Sequence, residues 1–237
     1  MDPINRTPAA PFGTATVATA ERVTTFLRAV YGWMCAGLAI TALVAYSIAS
    51  TGMAQVLVSN SLLFLGLFVA QIGIVFYLSA RVSRIAPGTA TLLFIGYAAL
   101  TGVTLSVLVL AYTGASIATT FVVTAGMFGA LALYGTTTSR SLAGVGQFAF
   151  MGLIGLILAT IVGFFWHSPA LQFLISVVGV IVFTGLTAWD AQNLKQMAAE
   201  LPASQVGSYA IVGALRLYLD FINLFLFLLR FLGGRRD

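Results

Sequence analysis

Two acidic residues, Asp190 and Asp220, are the only ones inside or at the edge of the hydrophobic segments of this 237-residue chain. The other four acids fall in the tails or in the one polar loop: Asp2, Glu21, Glu200 and Asp237. An ionisable group at membrane depth costs several kcal/mol unless it is paired, neutralised or in contact with water, so by default it marks a functional site. Two such groups facing each other would share a proton or bind a cation.

The chemistry of a facing Asp190–Asp220 pair follows from low dielectric. Two carboxylates a few Å apart cannot both ionise freely there, so they would titrate as one unit. A protonated pair is held by a short hydrogen bond, whereas a deprotonated pair repels itself or binds a cation. Carboxylate oxygens favour Ca²⁺ over softer metals, which makes both residues candidate metal ligands. The pair is therefore a candidate pH sensor and ion pathway.

The alternative is that each Asp pairs with an arginine and only joins helices. Arg216, one turn before Asp220, suits an i,i+4 ion pair.

Further polar side chains share helix faces with these acids. At about 100° per residue, positions three to four apart stay within roughly 60° of one another. The supporting polar seam predicted on this basis comprises Thr187, Asn193, Arg216 and Asn223, and Tyr218 on the acid-bearing helix could hydrogen-bond to it. Asp190 ends its hydrophobic segment, whereas Asp220 lies roughly 17 Å into its own. The two carboxylates therefore meet only if the last helix begins before the bilayer or the preceding helix sits lower.

Two arginines are candidate partners for the acids from another part of the chain. Arg81 and Arg84 follow the second hydrophobic segment, on the same predicted side as Asp190. Anchoring of the topology is the simpler interpretation of either one. Because arginine binds carboxylates in a bidentate manner, one of them could reach inward as a latch partner. Arg81 is preferred since it is nearer the membrane, and Arg84 is the second candidate.

The elements that must position these residues are membrane-spanning helices. The chain is 60% hydrophobic and 7% charged, against roughly 45–50% and about 25% in soluble domains. A spanning helix needs roughly 20 apolar residues. Seven segments qualify: about 29–50, 56–79, 89–112, 117–134, 144–166, 170–190 and 209–232. We expect an all-α, polytopic seven-helix bundle. Small residues four apart, as in Gly32-xxx-Ala36 and Ala125-xxx-Gly129, predict close helix packing.

Charge in the loops predicts the orientation. Seven Lys or Arg residues lie in the N-terminal tail or in loops on the same predicted side of the membrane as that tail. The loops on the opposite side have none. The positive-inside rule therefore places the N-terminus in the cytoplasm. The C-terminal GGRRD is the exception, since after seven spans it should be outside. Either the rule is overridden there or the last segment does not cross fully.

The remaining features limit the class of protein. Residues 1–28 form a polar tail that we expect to be disordered and cytoplasmic, residues 29–232 the membrane domain, and residues 233–237 a short tail. No cleavable signal peptide is evident. Cys35 cannot form an internal disulfide, and His167 alone cannot build a metal site. We expect no required cofactor and no nucleic-acid partner, since topology explains the net charge of +5.

The last third of the chain carries a family resemblance. Residues 214–230, ALRLYLDFINLFLFLLR, closely resemble the signature helix of the Bax inhibitor-1 family, and the LYLDFINLF core is highly specific. Residues 184–195, TGLTAWDAQNLK, resemble the family's sixth-helix motif, and Tyr31-Gly-Trp-Met in the first helix also fits. The resemblance covers about residues 25–233. It implies a fold of seven helices, in which one central helix is surrounded by the others. The short loops and the lack of a signal peptide suit a bacterial inner membrane.

The resemblance also implies a calcium leak governed by pH through paired aspartates, here Asp190 and Asp220, with Arg81 matching the family's partner arginine and Arg84 as the alternative. The expected partners are the lipid bilayer, Ca²⁺ and protons. The alternative is a non-conducting regulator that binds a membrane protease or a death-pathway partner. An intramembrane aspartyl protease is disfavoured because no Gly-x-Gly-Asp motif is present. We therefore expect no enzyme.

Overall fold

The structure is a computed structural model that describes residues 12–166, 168–202 and 205–234. Within those ranges the chain folds into helices. They are α1 (Phe12–Ser50), α2 (Met53–Ser59), α3 (Ser61–Arg81), α4 (Pro87–Ala111), α5 (Gly114–Thr137), α6 (Ala143–Phe165), α7 (Pro169–Glu200) and α8 (Val206–Leu232). All except the short α2 are long and apolar enough to cross a membrane. The predicted all-α bundle of seven membrane helices is confirmed.

The short α2 arises from a break inside the second predicted segment. Asn60 ends α2, and its side-chain oxygen accepts a hydrogen bond from the backbone N–H of Leu63 at 3.1 Å. An Asn at this position satisfies one of the free N–H groups in the first turn of α3. The second crossing is therefore α3 alone.

Helix α8 is the central helix of the bundle. It packs against α1, α3, α4, α5 and α7, and 67% of its membrane window is buried, against 11–39% for the other spans. Helix α6 lies at the periphery and packs mainly on α7. The helix that carries Asp220 is thus shielded from lipid on most sides.

Helix α8 also runs the full length of the bundle. Near its start, the Ser208 hydroxyl donates to the Ile85 carbonyl between α3 and α4, at 2.8 Å. Beyond its end, the Gly234 N–H donates to the Ser116 hydroxyl at the start of α5, at 2.9 Å. These contacts lie at opposite ends of the bundle. We call the end that holds the α3–α4, α5–α6 and α7–α8 connections the basic end, because most of the loop cations lie there.

Helices α1, α7 and α8 extend beyond their predicted hydrophobic segments at the ends that bear on the site. Helix α1 begins at Phe12, so residues 12–28 are helical rather than a disordered tail; residues 1–11 and 235–237 lie outside the described residues. Phe26, in the last turn of this extension, is 1% exposed, so tertiary packing supports that turn. Helix α7 continues ten residues past Asp190, and α8 begins three residues before position 209.

Close packing uses glycines other than those in the predicted motifs. A Cβ atom at Gly135 of α5 would collide with the Ala188 carbonyl of α7, and one at Gly146 of α6 would collide with the Trp189 ring. A Cβ atom at Gly32 or Gly129 would meet nothing within 4 Å. The packing interpretation of those two glycines is therefore wrong. Helices α5 and α6 both approach α7 most closely beside Asp190.

Candidate functional site

Asp190 and Asp220 face each other across the interface of α7 and α8. They are 6% and 5% exposed, respectively. Their carboxyl groups lie within electrostatic range of each other. The structure therefore brings together the two acids that the sequence singled out, in the interior of the bundle.

The helix extensions explain why two acids at apparently different depths meet. Asp190 lies ten residues before the end of α7, and Asp220 lies fourteen residues after the start of α8. At 1.5 Å per residue, these distances are about 15 Å and about 21 Å from the same end of the bundle. The difference is about one helical turn, which side chains can span. An early start of α8, one of the two alternatives that would let the acids meet, is thus present, and α7 also continues beyond its hydrophobic segment.

The basic partner of this pair is Arg216. Its Nη1 lies 3.5 Å from Oδ1 of Asp190, and the side chains of the two residues are 50% and 9% exposed. Arg216 follows the start of α8 by ten residues, about 15 Å, which places it level with Asp190. The i,i+4 alternative with Asp220 assigned this arginine to the wrong acid, since the closer carboxylate belongs to the neighbouring helix.

Arg81 and Arg84, the predicted latch partners, lie elsewhere. Arg81 is the last residue of α3, Arg84 lies in the following turn, and both are exposed. Neither forms an ion pair with an acid in the part of the chain that the structure describes. The arginine that meets the acids is instead Arg216 of the central helix. The sequence predicts Arg216 in the supporting seam and as an alternative i,i+4 partner of Asp220, not as the partner of Asp190.

One oxygen of the site has no donor. Oδ2 of Asp220 is fully buried and, among the described residues, accepts no hydrogen bond. A buried acceptor left unsatisfied costs about 1–3 kcal/mol, and more when the group is charged. A proton held between the two carboxyl groups would remove that cost. Arg216, Asp190 and Asp220 together would then be electrically neutral.

The other predicted seam residues do not reach the carboxylates. The Thr187 hydroxyl donates to the Phe183 carbonyl at 2.7 Å, and the Asn223 amide donates to the Leu219 carbonyl at 2.8 Å. Both bonds lie within their own helices. Asn193 is half-buried on α7. These three side chains therefore add polarity near the acids without completing their hydrogen bonds.

Tyr218 belongs to a separate polar contact. Its hydroxyl lies 2.6 Å from the Thr41 hydroxyl of α1, which donates to the Ala98 carbonyl of α4 at 2.9 Å. The Tyr218 ring packs edge-on against Phe94 and Tyr97 of α4. Thr41 was not predicted, because a single Thr in a long apolar segment gives no sign of its partner.

A cavity leads from the side of the bundle to Arg216. It has a volume of about 230 Å³ and lies between α3, α7 and α8. Its polar lining comes from Ser79, Tyr209 and Arg216. A cation that entered here would meet the guanidinium before either carboxylate.

The metal-binding capacity of the site is limited to two acidic side chains. Among the described residues, no group of three or more His, Cys, Asp or Glu side chains could hold a metal ion. Ca²⁺ takes six to eight oxygen ligands, including waters and backbone carbonyls. At Asp190 and Asp220, an ion would have to take most of its ligands from water or the backbone, which suits passage better than tight storage.

Comparison with known proteins finds relatives that match this chain over nearly its whole length. Residues 23–237 match the family described as "Inhibitor of apoptosis-promoting Bax1". The chain is 51% identical to the inner membrane protein YbhL of Escherichia coli K12, over 90% of this chain and 92% of the relative. It is 43% identical to an uncharacterised protein of Rickettsia prowazekii, over 92% of both chains. With its seven membrane helices and this match over nearly its whole length, the chain belongs to the Bax inhibitor-1 family.

Proposed function

We propose that this protein is a pH-sensitive leak pathway for Ca²⁺, gated by Asp190, Asp220 and Arg216. The observation that carries the proposal is the buried pair of carboxyl groups, which includes one oxygen without a donor. A buried acidic pair contributes little to stability as a static contact. The free-energy cost of removing its carboxyl groups from water is larger than that of burying apolar side chains of similar size. Titration gives the pair a use that packing alone does not.

Charge accounting supplies the gating mechanism. With one shared proton, the two carboxyl groups and the guanidinium sum to zero, and the interior of the bundle can close around them. Loss of that proton leaves one uncompensated negative charge at low dielectric, which is costly until a cation compensates it. We therefore expect Ca²⁺ entry to increase as the pH rises.

The surroundings of Arg216 supply an access route. The cavity beside it is walled on one side by α3, which is the least buried of the seven spans at 11%. Movement of α3 away from α8 would widen the cavity toward the carboxylates and would displace few buried side chains, since α3 buries only Gln71 and Leu78. The proposed order of events is proton loss, release of Arg216 from Asp190 and exchange of the guanidinium for Ca²⁺.

The location proposed for this activity is the cell inner membrane. The E. coli relative is named an inner membrane protein. The basic loops favour a cytoplasmic N-terminus by the positive-inside rule. Ca²⁺ would then cross between the outside and the cytoplasm, and the protein would have no enzymatic activity.

The test is Ca²⁺ entry into proteoliposomes at pH 6, 7 and 8. The wild type is compared with Asp190→Asn, Asp220→Asn and the double variant, and Glu200→Gln is the matched control, since this exposed acid ends α7. We expect Ca²⁺ entry that increases with pH in the wild type and in the control. Each Asn variant should lose most of that dependence.

Two results would contradict the proposal. Ca²⁺ entry that is unaffected by both Asn substitutions would exclude the pair as the gate. The absence of entry in the wild type, together with a membrane protein recovered by crosslinking, would favour the non-conducting regulator instead.

A further inference from the structure

A second polar cavity lies at the basic end of the bundle, away from the aspartates. It measures about 310 Å³ and lies between the α5–α6 connection and the last turns of α7. Its polar lining consists of Thr138, Ser139, Arg140, Ser141, Gln192, Lys195 and Gln196. Two of these are cations, three are hydroxyls, and no acid lines the cavity. The charge of this basic pocket complements an anion.

The walls of the pocket are fixed by hydrogen bonds. The Gln192 amide donates to the Arg140 carbonyl at 2.9 Å, and its oxygen accepts from the Leu142 N–H at 2.8 Å. One side chain of α7 thereby holds the α5–α6 connection at two points, its middle and its last residue. The backbone that carries the Arg140 side chain is consequently held in place by these hydrogen bonds.

The second cation is positioned in a similar way. The Lys195 ammonium donates to the Thr136 carbonyl at 2.6 Å. An ammonium group has three donors, so two remain for a ligand. Arg140 and Lys195 come from different elements, and a single anion between them would be held from two sides.

The position of the pocket relative to the bilayer selects the source of the anion. Tyr134, one turn before Thr138, is exposed, and exposed tyrosines near span ends lie at headgroup level. Val145 and Phe148, in the first turns of α6, are also exposed and give an apolar surface below the pocket. A phospholipid could place its phosphate in the pocket and its acyl chains along α6.

We propose that the basic pocket binds the phosphate of an anionic phospholipid. Basic pockets between membrane helices at a cytoplasmic face are suited to such headgroups, and each Lys or Arg near the surface contributes about 1 kcal/mol. The amino-terminal end of α6 adds a favourable partial charge at the same point. The bound lipid would join the α5–α6 connection to Lys195 of α7, about one and a half turns from Asp190.

The test measures lipid binding to the purified protein by native mass spectrometry. The probes are dioctanoyl phosphatidylglycerol and dioctanoyl phosphatidylcholine, and inorganic phosphate is added as a competitor in a separate arm. The variants are Arg140→Gln, Lys195→Gln and the double variant. Arg84→Gln is the matched control, because it removes an exposed cation at the same end that does not line the pocket.

We expect one phosphatidylglycerol to bind the wild type and the Arg84→Gln control with the same affinity. Each pocket variant should weaken binding about fivefold, and the double variant about 30-fold, as the energy per cation implies. Arg140→Gln separates a loss of binding from a loss of folding. It removes only a side-chain charge and leaves the Gln192 bonds to the backbone intact. Lys195→Gln also loses the bond to Thr136.

Three results would overturn the proposal. Equal affinity for the anionic and zwitterionic lipids would show that charge does not select the ligand. Equal weakening by Arg84→Gln would assign the effect to net charge rather than to the pocket. Displacement of the lipid by inorganic phosphate at similar concentrations would make a free phosphate ion the ligand.

Discussion

Arg216 of α8 forms its ion pair with Asp190 of α7, with 3.5 Å between Nη1 and Oδ1. The two residues are level with each other because α7 overruns its hydrophobic segment by ten residues. The arginine therefore joins the two helices that carry the acids, and it does so from the half-exposed edge of a cavity. In the proposed leak pathway, Arg216 is the point at which an entering cation would first be opposed.

Replacement of Arg216 should make the site more accessible to Ca²⁺. A guanidinium about 8 Å from an entering divalent ion opposes it by several kcal/mol at an effective dielectric of 20, before screening. We expect Arg216→Gln to raise Ca²⁺ entry at pH 7 about tenfold, the equivalent of about 1.4 kcal/mol. Arg216→Lys retains the charge and should stay within about twofold of the wild type. Ca²⁺ entry into proteoliposomes measures both.

The same measurement on Arg81→Gln separates the two arginines. Arg81 is exposed and forms no ion pair with an acid among the described residues. We expect it to leave Ca²⁺ entry unchanged. An effect of Arg81→Gln larger than that of Arg216→Gln would show that Arg81, at the end of α3, is the latch partner of the acids.

The shared proton should also make the stability of the bundle depend on pH. In the proposed closed state the pair holds one proton, so this contribution is present at low pH and is lost as the pH rises. We expect the Tm of the wild type in detergent to fall between pH 6 and pH 8. Asp220→Asn should reduce this fall, because its amide can donate where the shared proton did. The Tm of Glu200→Gln should fall as that of the wild type does. An equal fall in the Tm of the wild type and both variants would show that groups other than the acidic pair cause the pH dependence.

Much of this architecture could be predicted from the sequence, because membrane burial restricts composition so strongly. The seven spans followed from the length of apolar segments, and the two acids followed from the cost of charge in lipid. The partner of Asp190 could not be predicted. Hydropathy ends the sixth segment at Asp190, whereas the helix continues through polar residues to Glu200. That continuation sets the register between α7 and α8, and hence which arginine meets which acid.

The contact between Tyr218 and Thr41 was hidden for a different reason. The two residues are 177 positions apart, and neither lies in a pattern that indicates the other. A pairing of this kind depends on how three helices pack together. Sequence periodicity reports only which face of one helix is polar.

The Tyr218–Thr41 bond should contribute to stability rather than to gating. Its loss in Tyr218→Phe removes one buried hydrogen bond and keeps the ring contacts, which should cost about 1 kcal/mol. Thr41→Val should cost more, since it leaves the buried Tyr218 hydroxyl without an acceptor and also removes a donor from the Ala98 carbonyl. Thermal unfolding in detergent measures the difference. A change in the pH dependence of Ca²⁺ entry in Tyr218→Phe would contradict the separation of this contact from the acidic pair.

The close approach of α5 to α7 beside Asp190 gives the last prediction. A methyl group at Gly135 would collide with the Ala188 carbonyl and would lie 3.1 Å from the Ala191 Cβ, so α5 and α7 must move apart. Overpacking of this kind costs about 1–3 kcal/mol. Gly135→Ala should therefore lower the Tm.

The matched control lies on the same helix. Gly129→Ala adds a methyl group where nothing lies within 4 Å, and alanine favours a helix by about 1 kcal/mol over glycine. It should leave the Tm unchanged or slightly raised. Because Ala188 and Ala191 flank Asp190, the separation forced by Gly135→Ala should also loosen the acidic pair and raise Ca²⁺ entry at pH 6, where the wild type is closed. A lowered Tm with unchanged entry would show that the helix contact supports the fold without holding the gate.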